Sequence, residues 1–494
     1  MMSARSTLRL SKGYTAFKKR SQCPCLIANY FSSNLMNNDH NKQEYYKKKV
    51  VVVGLGISGL WVARWLAGQG ADVTVSEIKP EIDLEPDICA DIRELGAKLE
   101  TGGHRKESLL NAEMIIVSPG VPHDMEPLNG ALKKGIPVIG EFEFASRLID
   151  TPVIAVTGTN GKSTVVALLG CALENAGLKV FVGGNIGTPL MAYATEERKA
   201  DYVVAEVSSF QLDTIETFCP FISMILNLSP DHLDRYADYE SYVQSKLKIF
   251  RNQGPGQYVV LNDDDKRLSS VNPASGVSVL RYGVIKDEGR HSFIEDQKVK
   301  VCLNGIETSY FSLESIKLPG EHNWENILGA VLVALTIGVE PNIIQKTINE
   351  FKGLPSRLEQ VAEIDGVAFY NDSKATNVDA AVRAVMSFDQ PLILISGGRH
   401  KGADYAPLVK AAEGRVKRVI LLGEAKQLLA ASFEGIIPFS KAKDMEEAVS
   451  MSFSWANRGD VVLLAPACSS FDMFSDFSHR GRVFRAAVER LVCG

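Results

Sequence analysis

No stretch of this 494-residue chain is apolar for long enough to cross a membrane as a helix. Spanning takes ~18–20 apolar residues, and the longest run, Ile327–Val339, is interrupted by Gly329 and Thr336. The eight cysteines (Cys23, Cys25, Cys89, Cys171, Cys219, Cys302, Cys468 and Cys493) are scattered and lack the C-x-x-C spacing of a zinc site. The reading is a reducing compartment, with Cys171 and Cys219 as small core residues. A basic body is missing too. Residues 1–49 hold ten Lys/Arg against two acids, which leaves 44 against 57 for residues 50–494. An acidic body does not neutralise a phosphate backbone, so no nucleic-acid partner is expected, and no membrane partner. No secretory signal is expected, because no apolar segment follows the N-terminal basic residues. Residues 1–47 are basic, rich in Ser and Asn, and free of acid until Asp39, and they read as a disordered extension. That composition fits a plastid or mitochondrial transit peptide, or an upstream start with Met36 as the true N-terminus; the second is favoured. The expected location is the cytoplasm, with the plastid as the alternative.

With 45% apolar and 23% charged residues, the chain is of the globular class and too long for one core. The strand and helix patterns predict an α/β protein of three domains in series. Residues 48–150 read as a Rossmann-like doubly wound sheet, residues 151–352 as a P-loop ATPase-like α/β domain, and residues 353–494 as a second Rossmann-like domain. Within the second, residues 276–318 alternate in short strands and are expected to form a small antiparallel insert.

The most informative segment is Thr157-Gly158-Thr159-Asn160-Gly161-Lys162-Ser163-Thr164. It follows a buried-strand run, Pro152–Val156, and precedes apolar residues at helical spacing from Val165 to Ala176. Glycines let backbone N–H groups converge on phosphate oxygens, and the helix aims its positive end at them. Lys162 would reach the β- and γ-phosphates of ATP, and the Ser163 hydroxyl would hold Mg²⁺. Earlier, Gly54-x-Gly56-x-x-Gly59 opens a helix after a strand, with an acid, Glu77, about 20 residues on. That pattern brings a backbone close to a phosphate without naming the ligand, so a redox dinucleotide stays open here.

Other residues collect at strand ends. Glu206 closes a buried strand, where it serves either Mg²⁺ or a helix N-terminus, and the upstream loop favours the metal. Asp231-His232 projects from a loop, leaving His232 as metal ligand, general acid/base or hydrogen-bonded structural histidine. Spacing turns Lys248 to solvent and makes Lys246 a snorkelling surface lysine. Three polar loops follow strands near the C-terminus: Asn371–Asn377 with Asp372, Lys374 and Thr376; Ser396–Lys401; and Leu464–Asp472 with Ser470, beyond which lie Phe477 and Arg482. Their lysines clamp an acidic substrate or serve solubility. Arg357, between two domains, is a phosphate ligand or an interdomain ion pair.

Taken together, Gly-Thr-Asn-Gly-Lys-Ser-Thr, Gly-Gly-Asn-Ile-Gly (183–187), Glu-Val-Ser-Ser-Phe-Gln-Leu (206–212), Asn-Leu-Ser-Pro-Asp-His-Leu-Asp-Arg (227–235), Pro-Gly-Glu-His-Asn-Trp-Glu-Asn (319–326) and Asn-Asp-Ser-Lys-Ala-Thr-Asn (371–377) resemble the Mur ligases, ATP-dependent amide-forming enzymes of peptidoglycan synthesis. The resemblance runs in order from about Lys48 to the C-terminus. Gly-Leu-Gly-Ile-Ser-Gly-Leu (54–60), Ser118-Pro119-Gly120-Val121 and Pro466-Ala467-Cys468-Ser469-Ser470 look most like the D-glutamate-adding branch, and the Asp-Asn-Pro-Arg box of diaminopimelate-adding relatives is absent.

The resemblance implies a reaction joining D-glutamate to UDP-N-acetylmuramoyl-L-alanine through an acyl phosphate, with Lys162, His232, Lys246 and Arg357 catalytic. It implies that Ser163 and Glu206 serve one Mg²⁺, and that His232 and Lys246, carried as a carbamate, serve a second. Gly158, Thr159, Asn160, Gly161, Thr164, Asn323, Asn326, Arg357 and Asp372 would contact ATP. Asn185 and Ser208 would touch the muramoyl peptide, and Lys374, Thr376, Ser470 and Phe477, with Lys401 close by, would hold D-glutamate. Gly54, Gly56, Ser58, Gly59, Glu77 and Ser118 would take the uridine diphosphate, displacing the redox reading. A monomer is expected. The rivals are a sibling ligase adding another amino acid and, less favoured, a dinucleotide-dependent redox enzyme.

Overall fold

The computed structural model describes residues 44–493, apart from 124, 196–199, 234, 275, 304–305, 315, 317–319 and 321. Most of the expected N-terminal extension, with Met36, Cys23 and Cys25, therefore lies outside the described residues, as do Pro319 and Glu321. The described part of that extension is not loose. Tyr45 is buried and packs edge-on against Trp65 and Phe144, with ring centroids 5.3 and 5.9 Å away.

Three sheets follow one another along the chain. The first contains β1 (Lys49–Val53), β2 (Asp72–Ser76), β3 (Lys98–Glu100), β4 (Met114–Val117) and β5 (Val138–Gly140), in the order β3-β2-β1-β4-β5 and parallel throughout. The near-continuous valines of β1 and the Met-Ile-Ile-Val of β4 suit strands covered on both faces by helices. The order reverses between β2, β1 and β4, so the glycine loop after β1 opens at the switch point where α/β sheets bind ligands.

The central sheet has nine strands: β6 (Val153–Thr157), β7 (Val180–Gly184), β8 (Tyr202–Glu206), β9 (Ile222–Ile225), β10 (Tyr258–Asn262), β11 (Ser278–Tyr282), β12 (Ser292–Glu295), β13 (Lys298–Leu303) and β14 (Ile306–Ser312). β6 lies between β8 and β9, with Val156 opposite Glu206 and Thr157 opposite Ile225. The phosphate-type loop is thereby flanked by Glu206 on one side and Asn227 on the other. Of the small antiparallel insert expected over 276–318, β12, β13 and β14 do pair antiparallel, whereas β11 is corrected: it pairs parallel to β10 and to β12, so that the strands extend the central sheet. Alternating short strands identify pairing but not the sheet they join.

The third sheet holds β15 (Glu359–Ile364), β16 (Val367–Asn371), β17 (Leu392–Gly397), β18 (Val416–Leu422), β19 (Phe439–Lys441) and β20 (Val461–Leu464), ordered β15-β16-β20-β17-β18-β19. Asn371 and Ile395 both register with Leu464, so the three polar loops after β16, β17 and β20 leave the sheet side by side. No helix among the described residues is long and apolar enough to cross a membrane. Cys171 and Cys219 are only partly buried, whereas Cys89 and Cys468 are core residues; the expectation for the first pair is corrected.

Candidate active site

The loop after β6 is shaped by what presses on it. Gly158 and Gly161 take φ of 145° and 86°. A Cβ at Gly161 would lie 2.3 Å from Asn326 Oδ1, and one at Gly158 would lie 3.0 Å from Leu226 Cβ. Asn227 brackets the turn: its Oδ1 accepts from the Asn160 N–H at 2.8 Å and its Nδ2 donates to the Asn160 carbonyl at 3.1 Å. Thr159 is tied down by a hydroxyl bond to the Ser229 carbonyl at 3.1 Å. The helix Lys162–Asn175 then points its free N–H groups into the space in front.

Lys162 folds back over this loop, its Nζ donating to the carbonyls of Gly158 and Thr159 at 2.9 Å each. Burial lowers its pKa, against the opposing pull of Glu206 and Asp231. Ser163 Oγ donates to Glu206 Oε2 at 2.5 Å and accepts from Arg357 Nη2 at 2.6 Å. Asn185 Nδ2 donates to the other Glu206 oxygen at 2.9 Å. Burial alone would raise the Glu206 pKa; Lys162, Ser163 and Asn185 outweigh it and hold the carboxyl ionised below its usual range.

Lys246 is not a surface lysine. Its helix, Tyr239–Leu247, starts at Asp238, whose side chain accepts from the Ser241 N–H at 2.7 Å, and turns Tyr242, Ser245 and Lys246 inward. Lys246 is 2% exposed, and its Nζ donates to the Gly158 carbonyl at 2.9 Å and lies 4.8 Å from the Tyr242 ring centre. Burial first, then repulsion from Lys162, lowers its pKa well below the usual lysine range. Helical spacing showed which face Lys246 occupies, but not that another segment covers that face.

His232 takes φ of 55°, with its ring 4.8 Å from that of Phe210. Asp231 beside it reaches into the third domain: Oδ1 accepts from Lys401 Nζ at 2.6 Å and Oδ2 from Asn377 Nδ2 at 3.0 Å. Burial would raise the Asp231 pKa, but Lys401 and His232 prevail and bring it to about 2. A second bridge joins Asn160 Nδ2 to Asp379 Oδ2 at 2.7 Å. Among the described residues Arg357 makes no carboxylate ion pair; its contact with Ser163 forms a third link. The segment carrying it bends through left-handed residues at Gly353, Ser356 and Leu358, a local strain the cross-domain contacts must sustain.

These groups face one cavity of about 310 Å³, lined by Thr159, Asn160, Gly161, Lys162, Thr164, Asn185, Glu206, Ser208, His232, Lys246, Asn323, Asn326, Arg357, Asp372, Lys374 and Thr376, together with Phe210, Asp231, Tyr242 and Asn377. Asn326 Nδ2 donates to Asn323 Oδ1 at 3.0 Å, and Ser208 caps the helix Ser209–Asp213. Burial raises the Asp372 pKa to about 7 against the pull of Arg357. Burial, then Arg357, lowers that of Lys374 to about 7, and its Nζ sits 3.8 Å from the Phe477 ring centre. Ser163, Lys401 and Phe477 reach the cavity through lining residues, while Ser470, buried in the loop after β20, does not line it.

The first-domain residues form their own cluster. Gly54 has φ of 94°, its carbonyl accepts from Ser118 Oγ at 2.9 Å, and a Cβ on Gly59 would lie 2.1 Å from it. Gly56 has open space beside it, and Ser58 is half-buried. Glu77 is buried and accepts from the Leu55 N–H at 2.6 Å and the Lys79 N–H at 3.0 Å, so its carboxylate braces the glycine loop.

Several contributors carried no assigned role in the sequence reading: Asn160 and Asp379 as a bridge, Asp231, Asn227, and Arg480. Arg480 is 1% exposed and donates to Ser373 Oγ at 2.9 Å, the Ser373 carbonyl at 2.8 Å and the Cys468 carbonyl at 3.2 Å, tying two strand-end loops to the helix Phe477–Cys493. Single side chains such as these carry no spacing signal. Among the described residues no three of His, Cys, Asp or Glu stand together as a metal cluster. The adjoining oxygens of Ser163 and Glu206 are nevertheless the hard donors that suit Mg²⁺.

The chain matches three family descriptions in order: Mur ligase MurD-like, N-terminal domain, over 48–140; Mur ligase middle domain over 156–334; and Mur ligase, glutamate ligase domain, over 356–468. It is 45% identical over 442 residues to the UDP-N-acetylmuramoylalanine--D-glutamate ligase of Desulfosudis oleivorans, covering 90% of this chain and 96% of that protein. The ligase of the same name from Geotalea daltonii is 42% identical over 445 residues, covering 90% and 98%. Among solved structures, a pseudomurein peptide ligase type C from Methanothermus fervidus has a TM-score of 0.57 at 21% identity, covering 90% of this chain and 100% of that one, a likeness of fold. The chain belongs to the Mur ligase family, on the branch whose members are named UDP-N-acetylmuramoylalanine--D-glutamate ligase.

Proposed function

We infer that this protein is the ATP-dependent ligase that joins D-glutamate to UDP-N-acetylmuramoyl-L-alanine in peptidoglycan precursor synthesis. The observation that carries the reading is the single cavity in which the β6 loop, Glu206, His232 and Lys246 face Arg357, Asp372 and Lys374 of the third domain. An ATP site and a cationic amino-acid site in one enclosure are what amide formation from a carboxylate requires.

A free carboxylate is a poor electrophile. The alanyl carboxylate of the substrate attacks the γ-phosphorus of ATP, ADP leaves, and the resulting acyl phosphate is attacked by the D-glutamate amine, releasing phosphate. Lys162 exchanges its bonds to the Gly158 and Thr159 carbonyls for phosphate oxygens, and Arg357 stabilises charge on the transferring group from the opposite wall. Asn323, Asn326 and Asp372 hold the nucleotide, Asn185 and Ser208 the muramoyl peptide, and Lys374, Lys401, Thr376, Ser470 and Phe477 D-glutamate. Ser163 and Glu206 would hold one Mg²⁺, and His232 with Lys246 as a carbamate a second; bound there, Mg²⁺ neutralises phosphate charge. Closure of the third domain, sustained by the Asp231–Lys401, Asn160–Asp379 and Ser163–Arg357 contacts, sets the geometry and excludes water.

Lys374 must be charged to pair with a D-glutamate carboxylate, yet burial lowers its pKa to about 7. Binding above that pH therefore requires proton uptake. KM for D-glutamate is expected to be flat below about pH 7 and to rise by up to about tenfold per unit above it. Lys374→Arg, which stays charged, should flatten the profile; a wild-type KM that does not change up to about pH 9 contradicts the assignment. Substrate identity is tested by ADP release over an amino-acid panel with UDP-N-acetylmuramoyl-L-alanine present. D-glutamate alone should support turnover, and preference for L-alanine, diaminopimelate or L-glutamate would point to a sibling ligase.

A further inference from the structure

We propose that Glu141, buried at the seam between the first two domains, is a positioning residue for the UDP-linked substrate: as the neutral acid it backs the Ser58 turn of the first glycine loop, and its ionisation weakens substrate binding. The proposal rests on the reading that this loop takes the uridine diphosphate.

Two carboxyls enter the seam from one short helix, Glu141–Ser146, and meet opposite surroundings. Glu143 is fully buried and well supplied with donors. It accepts from the Glu216, Thr217 and Phe218 N–H groups at 3.0, 3.0 and 3.1 Å, from the Thr217 hydroxyl at 2.6 Å and from Arg147 Nε at 2.8 Å. Burial would raise its pKa, but Thr217 and Arg147 prevail and keep it below the usual range. Glu141 is 1% exposed, and its Oε1 has no hydrogen-bond partner among the described residues. Burial raises its pKa to about 7, against the Ser58 hydroxyl and the Met191 N–H beside it.

No charge offsets that burial. Of the elements packed on this helix, Ile57–Gly68 carries Arg64, which pairs with Asp91. Leu190–Thr195 carries no charge, and its Tyr193 hydroxyl bonds that of Thr151 at 2.6 Å. Ser209–Asp213 carries Asp213, which accepts from Tyr236 at 2.7 Å and Lys248 at 3.3 Å; β4 and β5 carry none. Arg147 is engaged by Glu143 and by Glu216 at 2.8 Å. The helix is also held against turning Glu141 out to water. A Cβ at Gly140 would lie 2.0 Å from Thr214 Oγ1, and Phe142 packs edge-on against Phe218 with ring centroids 4.9 Å apart.

The two neighbours of Glu141 belong to the parts of the site that a UDP-muramoyl peptide spans. Ser58 lies in the first turn of the helix after the glycine loop, where free N–H groups face a diphosphate. Met191 lies in the helix that follows the Gly183–Gly187 loop, which carries Asn185. A negative charge at Glu141 would stand behind the diphosphate dianion, and like charges sharing one region disfavour each other. The neutral acid avoids that repulsion, so binding above about pH 7 is accompanied by proton uptake.

The test is calorimetric titration of the full chain with UDP-N-acetylmuramoyl-L-alanine, without ATP, at about pH 6 and about pH 8, where the diphosphate diester stays ionised. Wild type is compared with Glu141→Gln, a neutral isostere, and with Glu141→Leu, which suits the apolar surroundings if the amide is not accommodated. Lys374 titrates in the same range but is common to all three proteins, so the difference between profiles carries the result. Between the two pH values wild type should lose about fivefold more affinity than either variant. In buffers of different ionisation enthalpy it should also take up more protons at the higher pH. A folded variant whose affinity varies with pH as wild type does, or equal proton uptake in the two, overturns the proposal. A wild type that binds ATP but not UDP-N-acetylmuramoyl-L-alanine at either pH overturns instead the reading of the first glycine loop.

Discussion

Lys162→Ala is expected to lower kcat by about 10³-fold or more while leaving the protein folded. On the proposed reading, the side chain is the cation that meets the developing charge on the γ-phosphoryl group. Removing one preorganised charge from such a place costs about 4 kcal/mol of transition-state stabilisation. Stability should change little, because relief of the half-buried Lys162 charge is offset by loss of the cation that helps hold the buried Glu206 ionised. Rapid-quench measurement of ADP formation, alongside a thermal melt, separates the two effects. Turnover within tenfold of wild type would remove Lys162 from the phosphoryl-transfer step.

A loss of similar size is expected for Lys246→Ala, for a different reason. Its amine sits under the loop at Gly158, where burial and repulsion from Lys162 lower its pKa well below the usual lysine range and so favour the neutral form. A neutral amine can add carbon dioxide, forming an N–C bond and releasing one proton. The product is a carbamate, which turns a cation donor into two anionic oxygens suited to Mg²⁺. Lys246→Arg keeps a cation but cannot undergo that addition, so it should be as inactive as Lys246→Ala, at about 10³-fold below wild type. Wild-type activity should fall in carbon-dioxide-free buffer and return when bicarbonate is added. An active Lys246→Arg enzyme would contradict the carbamate and leave Lys246 as a structural brace.

How much of this was legible in the sequence depended on whether a signal was local. The β6 loop was legible because its residues are consecutive, and glycines at 158 and 161 are demanded by neighbours a few ångströms away. The three C-terminal polar loops were legible as strand ends, and parallel register then sets them side by side. Lys246 was misread from spacing because its burial depends on the Gly158 loop, 88 positions away. Asp231 with Lys401, and Asn160 with Asp379, are separated by 170 and 219 positions, so no periodicity could pair them. The strands from 278 to 312 were visible as strands, but joining them to the central sheet depended on packing against β10. The resemblance to a family supplied roles that residue types alone left open, notably for His232 and Arg357.

The central claim is that ATP and the substrate carboxylate meet in one enclosure to form an acyl phosphate. It is tested most directly by following oxygen. With UDP-N-acetylmuramoyl-L-alanine labelled with ¹⁸O in its alanyl carboxylate, the account predicts that each turnover with D-glutamate delivers one labelled oxygen to inorganic phosphate. Phosphate free of label, with amide product still accumulating, would contradict it.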